Sequence, residues 1–181
     1  MRRGFKAEAE RLSERVRRDL GLRLTERLPL DRLASSVNAE LRSAADLIGV
    51  ERLEEIDTLQ PGAFSACTFE LADRRVIVWN PLSRQGRKNS DIAHELSHLL
   101  LKHSVKEVQT VGDLTFFGCD PDEEQEANWL AGCLLLPRTL LIAQVRSGAS
   151  AADLVEQYEV SSQMANYRIR ATGVMRQAQS R

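Results

Sequence analysis

The chain has 181 residues, 43% of them apolar and 28% charged, with 25 Lys/Arg against 26 Asp/Glu for a formal charge of −1. That length fits one domain, or one domain with an appendage, and the balance excludes an intrinsically disordered chain. The near-neutral charge excludes a global field that would draw the whole molecule onto nucleic acid or an acidic membrane. The positive charge is concentrated at the front, where residues 1–42 hold eleven Lys/Arg against seven Asp/Glu. No apolar run approaches the roughly 20 residues of a membrane span, and the basic N-terminus lacks the apolar stretch of a signal peptide. Three cysteines, Cys67, Cys119 and Cys133, are too few and too scattered for a disulfide framework. The expectation is a cytoplasmic protein whose cysteines are small core-filling hydrophobes.

Residues 4–20 read as a helix with Phe5, Leu12, Val16 and Leu20 on one stripe, ended by Gly21. Pro29 opens a second helix through Leu30, Leu33, Ala34 and Val37. The period then changes. Cys67–Leu71 and Arg75–Trp79 are short β-rich runs separated by three residues, the pattern of a hairpin, and Asn80-Pro81 closes the second run. A basic loop, residues 84–88, follows. From Ser90 the helical period returns, with Asn89 or Ser90 as cap, Asp91 in the first turn, and Ile92, Ala93, Leu96, Leu99, Leu100 and Leu101 covering most of the circumference. Residues 123–136 form a second strongly apolar helix stopped by Pro137. The tail from Arg138 reads as short helices broken at Gly148 and Gly173. The order α-α-β-β-α-α-α is an α+β pattern.

Two of the three histidines flank a glutamate in His94-Glu95-Leu96-Ser97-His98. Residues four apart share a helix face, so both imidazoles reach one point, which is half of a tetrahedral zinc site with Glu95 as the general base beside it. Burying two imidazoles and a carboxylate on an otherwise apolar helix without a partner ion would be costly. A third protein ligand is needed. A cysteine would serve, but the acidic run Asp120–Glu126 leads straight into the second apolar helix. Glu124 lies one turn before Ala127 on the inward stripe and Glu123 borders it, whereas Glu126 is rotated from Glu124 by about 200°. Periodicity leaves Glu123 and Glu124 both open.

The runs Asp91–Leu101, Glu124–Ala131 and Leu134–Pro137 together resemble the ImmA/IrrE metallopeptidases, in which a helical HExxH is followed by a second helix reading E-x-x-A-N-x-F-A, a short apolar run and proline. Here Ser97, Leu130 and Leu136 replace that pattern's glycine, phenylalanine and methionine, and none of these changes removes a ligand or the base. The resemblance implies a zincin-like core over residues 1–137, with a small antiparallel sheet, the HExxH helix and the second-ligand helix. It also implies a helix-turn-helix-like region over 138–181 packed on that core. By the same resemblance zinc is bound by His94, His98 and Glu124, Glu95 is the base, and Asn128 supports the ligands. The oxyanion-stabilising group is unassigned, with Tyr158, Tyr167 and His103 as candidates. The strand at 75–79 is expected to pair with an extended substrate if it lies at the sheet edge.

The resemblance further implies an endopeptidase that cleaves a helix-turn-helix transcriptional repressor in stress-response or mobile-element control. Two other classes compete. One is a module that sequesters a regulator or antitoxin-type partner without cutting it, although retention of Glu95 argues against it. The other is a DNA-binding, metal-sensing regulator using Arg168 and Arg170. Asp153, Glu156 and Glu159 in the preceding helix set against direct DNA binding and favour a packing or partner-docking role.

Overall fold

The computed structural model describes residues 1–62, 64–71, 74–103, 108–111, 114–117 and 120–175. Cys119 and the hairpin-turn residues Ala72 and Asp73 therefore lie outside the described residues. The elements run α1 (Phe5–Asp19), α2 (Leu30–Ser36), β1 (Ala39–Ser43), α3 (Ala45–Ile48), α4 (Val50–Leu59), β2 (Ala66–Glu70), β3 (Arg75–Trp79) and α5 (Gln85–Leu101). They continue with β4 (Val108–Val111), β5 (Leu114–Phe117), α6 (Pro121–Leu135), α7 (Arg138–Arg146), α8 (Ala151–Tyr158) and α9 (Ser162–Thr172). The α+β class is as expected.

The sheet differs from the expected antiparallel one. β3 is the middle of three strands, antiparallel to β2 but parallel to β1, with Ala39 opposite Arg75 and Ser43 opposite Trp79. Its apolar run, Val76, Ile77 and Val78, is buried on both sides, as a central strand requires. β3 therefore has no free edge for a substrate. The outer edges of β1 and β2 are paired with no other described strand, and β2 is half-buried to exposed along its length. β1 (Ala-Glu-Leu-Arg-Ser) is too polar to announce itself as a strand.

The helix expected from Ser90 begins five residues earlier, at Gln85, so the basic segment 84–88 is its first turn rather than a loop. Asn89 and Ser90 are not its caps. Asn89 Nδ2 donates to the Glu159 carbonyl (2.9 Å), and Ser90 Oγ donates to the Gly86 carbonyl (2.8 Å) while accepting from Ser161 N–H (3.3 Å). Both tie α5 to the turn between α8 and α9.

The core is built around α6, whose Ala127, Leu130, Ala131, Cys133 and Leu134 are fully buried. α5 and α1 pack along it, and Leu140, Leu141, Leu154 and Ala165 of the last three helices join the same buried cluster. Arg168 of α9 is fully buried, donating from Nε to the Leu136 carbonyl (3.0 Å) and from Nη2 to Glu10 of α1 (2.6 Å). No single helix among the described residues is long and apolar enough to cross a membrane.

Candidate metal centre

The site is assembled by two helices with different local logic. α5 is a long helix in which His94 and His98 sit four residues apart on one face. α6 starts at a capped turn: Asp120 accepts from Asp122 N–H (2.9 Å) and Pro121 fills the first helical position. That cap fixes Glu124 in the opening turn, facing α5. His94, His98 and Glu124 are all half-buried, and their ligand atoms lie within 4.8 Å of one another. Of the two acids that periodicity left open, Glu124 is the one in this cluster. Cys67 and Cys133 take no part in the cluster.

Inside it, His94 Nε2 and His98 Nε2 are 3.0 Å apart. His94 Nε2 lies 3.2 Å from Glu124 Oε2, and His98 Nε2 lies 3.3 Å from Glu124 Oε1. Ligands about 2.0–2.1 Å from a tetrahedral ion sit about 3.3 Å from one another, the edge of the tetrahedron. The spacing and the N, N, O donor set both fit such an ion. Burial, with His94 next to it, pushes His98 down to about 4, so its ring is neutral at pH 7 and a lone pair is available for a metal.

Glu95 points elsewhere. Its Oε2 accepts from Thr68 Oγ on β2 (2.6 Å), so the edge strand and the HExxH helix are tied together at this carboxylate. Burial pushes the Glu95 carboxyl above the ordinary range, and the Thr68 hydroxyl draws it part of the way back. The neighbouring carboxylates of Glu124 and Asp91 add to the rise. A carboxylate in this setting takes up a proton more readily than a solvated one, which suits a general base.

The sequence gives no sign of Thr68, turns Glu126 away from the ligands and offers His103 only as an oxyanion group. Lys102 ends α5 in a left-handed turn (φ 56°), and the His103 N–H donates to the His98 carbonyl (3.0 Å). That turn folds the His103 ring back onto His98, with their Nδ1 atoms 3.0 Å apart. His103 thus engages the side of His98 away from Glu124. The other candidates are committed elsewhere as well. Tyr158 is buried, its hydroxyl accepting from Gln144 Nε2 (2.7 Å) and facing the Thr25 carbonyl (3.2 Å). Tyr167 packs edge-on against Trp129 with ring centres 5.9 Å apart. Asn128 bonds the backbone carbonyl of Glu124 (2.8 Å), not its carboxylate.

Of the described thiols, burial raises Cys67 to about 11 and Cys133 to about 12, which keeps both protonated at neutral pH. A groove of about 490 Å³ lies at the other end of α5, lined by Leu28, Leu30, Trp79, Lys88 and Ile92 among others. It includes none of the cluster, so the chemistry and not the concavity marks the site.

Compared with known families, the chain matches the model of the IrrE N-terminal-like domain, a peptidase family, over residues 49–170. That span contains β2, β3, α5 and α6, hence every residue of the cluster together with Glu95 and Thr68. Neither curated proteins nor solved structures give a significant match.

Proposed function

The chain belongs to the IrrE N-terminal-like domain family of peptidases, and from that premise we propose that it is a zinc-dependent endopeptidase whose substrate is a helix-turn-helix transcriptional repressor. The observation that carries the reading is the pairing of a three-ligand cluster spaced for a tetrahedral ion with an adjacent, tethered carboxylate. His94, His98 and Glu124 would hold the ion. Three protein ligands leave a fourth position open, and a metal so bound supplies Lewis-acid polarisation of a peptide carbonyl and a more acidic water.

The protein's own groups do the rest. Glu95 takes the proton of the attacking water and returns it to the leaving amine. Thr68 fixes the carboxylate through Oε2, so Oε1 is the oxygen left to handle that proton. β2, carrying Thr68 and presenting an outer edge, is the strand on which an extended substrate would align by backbone pairing. Family resemblance supplies the repressor and a role in stress-response or mobile-element control, and the free thiols Cys67 and Cys133 accord with a cytoplasmic setting. Direct DNA reading is left out of this function because Arg168, one of the two cations proposed for it, lies in the core.

The test is to incubate the zinc-loaded protein with the repressor encoded beside it and follow the repressor by intact mass. Two metal-dependent fragments, absent with Glu95→Gln and with chelator, are expected. A repressor that co-purifies but stays intact would replace cleavage by sequestration.

A further inference from the structure

Behind the cluster lies a second line of polar groups that the peptidase chemistry does not use. His98 Nδ1 faces His103 Nδ1 at 3.0 Å. His103 Nε2 in turn lies 3.9 Å from Glu126 Oε2, and both side chains are less than a tenth exposed. Glu126 is anchored on its far side, Oε1 accepting from the Arg2 backbone N–H (2.9 Å) and Oε2 from Arg2 Nε (3.3 Å). The acid that helical periodicity turns away from Glu124 thus faces the back of the same site.

The hydrogens along this line follow once His98 Nε2 is committed to a metal. The hydrogen of a neutral His98 then belongs on Nδ1, where it is donated to His103 Nδ1. His103 Nδ1 offers the lone pair, and the hydrogen of its own neutral ring sits on Nε2, on the side of Glu126. An acceptor at that place favours the tautomer of His98 whose Nε2 lone pair points at His94 and Glu124. Ring orientation and tautomer of a metal-binding histidine are commonly fixed in this way by the partner of its second nitrogen.

We infer that His103 and Glu126, anchored by Arg2, are positioning residues for the metal ligand His98, so that the N-terminal segment helps set metal affinity. The inference rests on the metal reading above. A chain that lacked the partner would still have its three ligands, but His98 would divide its hydrogen between two nitrogens and its ring between orientations.

The experiment measures zinc affinity by competition with a chromogenic chelator at one pH. Beside it, long-range ¹H–¹⁵N spectra show which nitrogen of His98 carries hydrogen. Wild type, His98→Ala, His103→Leu, His103→Gln and Glu126→Gln are compared, each checked for a cooperative thermal transition. Wild type is expected to bind one zinc with the His98 hydrogen on Nδ1. His103→Leu should weaken binding by about 10–100-fold, the usual consequence of losing such a partner. His103→Gln, whose amide can both accept from His98 and donate to Glu126, should recover most of the loss, which a merely space-filling role for His103 would not produce. Glu126→Gln should show a smaller loss.

Zinc affinity of His103→Leu within about twofold of wild type, with the His98 hydrogen unmoved, would overturn the inference while leaving the metal site intact. Should His103→Leu fail to fold, His103→Gln and Glu126→Gln decide: a His98 hydrogen no longer on Nδ1 in His103→Gln, or unchanged affinity in Glu126→Gln, overturns it. Wild type that takes up no zinc, or His98→Ala that binds it as tightly, would instead remove the metal reading and the inference with it.

Discussion

Glu95 is held by a hydroxyl from another element, and that bond gives a pH prediction. The Thr68 bond lowers the Glu95 carboxyl while burial raises it. Removing the hydroxyl in Thr68→Val leaves burial unopposed, so the carboxyl rises further. A general base works only when deprotonated, so the acidic limb of the kcat/KM profile is expected to move to higher pH in Thr68→Val. Activity should fall most below neutrality and recover as pH increases. A uniform loss at every pH would instead mean that Thr68 aligns substrate and does not tune the base. The same residues mark what a sequence discloses at this scale. His94, Glu95 and His98 are legible because helical spacing alone places them, and the inward stripe of the second apolar helix makes Glu124 one of two choices. Thr68 and His103 are illegible because tertiary folding makes their contacts. Thr68 reaches Glu95 from 27 residues upstream, and His103 reaches His98 only through the left-handed turn at Lys102.

Among the elements, α5 is where sequence reading and structure part most clearly, and Gly86 explains why. Polar residues 84–90 lack an apolar stripe, so periodicity starts the helix late. Packing against the α8–α9 turn extends it. A Cβ at Gly86 would lie 2.4 Å from the Val160 carbonyl oxygen and 2.6 Å from its carbon, backbone atoms that cannot swing aside. Alanine gains up to about 1 kcal/mol over glycine in a helix interior and less in a first turn such as this one. Here the clash should outweigh that gain, for a net loss of about 1–3 kcal/mol. Gly132→Ala is the comparison. Its Cβ would meet Arg168 Cδ at 2.5 Å, a side-chain atom with some room to shift, although that arginine is anchored by Glu10 and Leu136. Thermal melts should rank wild type above Gly132→Ala above Gly86→Ala. If Gly86→Ala melted at or above wild type, α5 would not press on Val160. β3 shows the complementary case: its buried run was legible as a strand, but its central place depends on β1, which carries no strand signature of its own.

For the molecule as a whole, the question is what the cluster contributes to a fold already closed by apolar packing. α6 is buried against α1 and α5, and α9 is pinned across it by Arg168, so the core does not wait on a metal to form. The cluster lies at the seam between α5 and α6, where an ion binding only the folded state stabilises it by mass action. At a free concentration 100 times the dissociation constant that amounts to about 2.7 kcal/mol. For a domain of this size it corresponds to roughly 5–11 °C in Tm. Chelation is therefore expected to lower Tm by that order while leaving far-UV circular dichroism at 25 °C unchanged, and His94→Ala/His98→Ala should show no chelator effect. A chain that unfolds outright on chelation would place the metal in the folding core itself. If Tm does not move although one equivalent of zinc is lost, the ion binds the unfolded chain about as tightly as the folded one, and the seam between α5 and α6 is held by apolar packing alone.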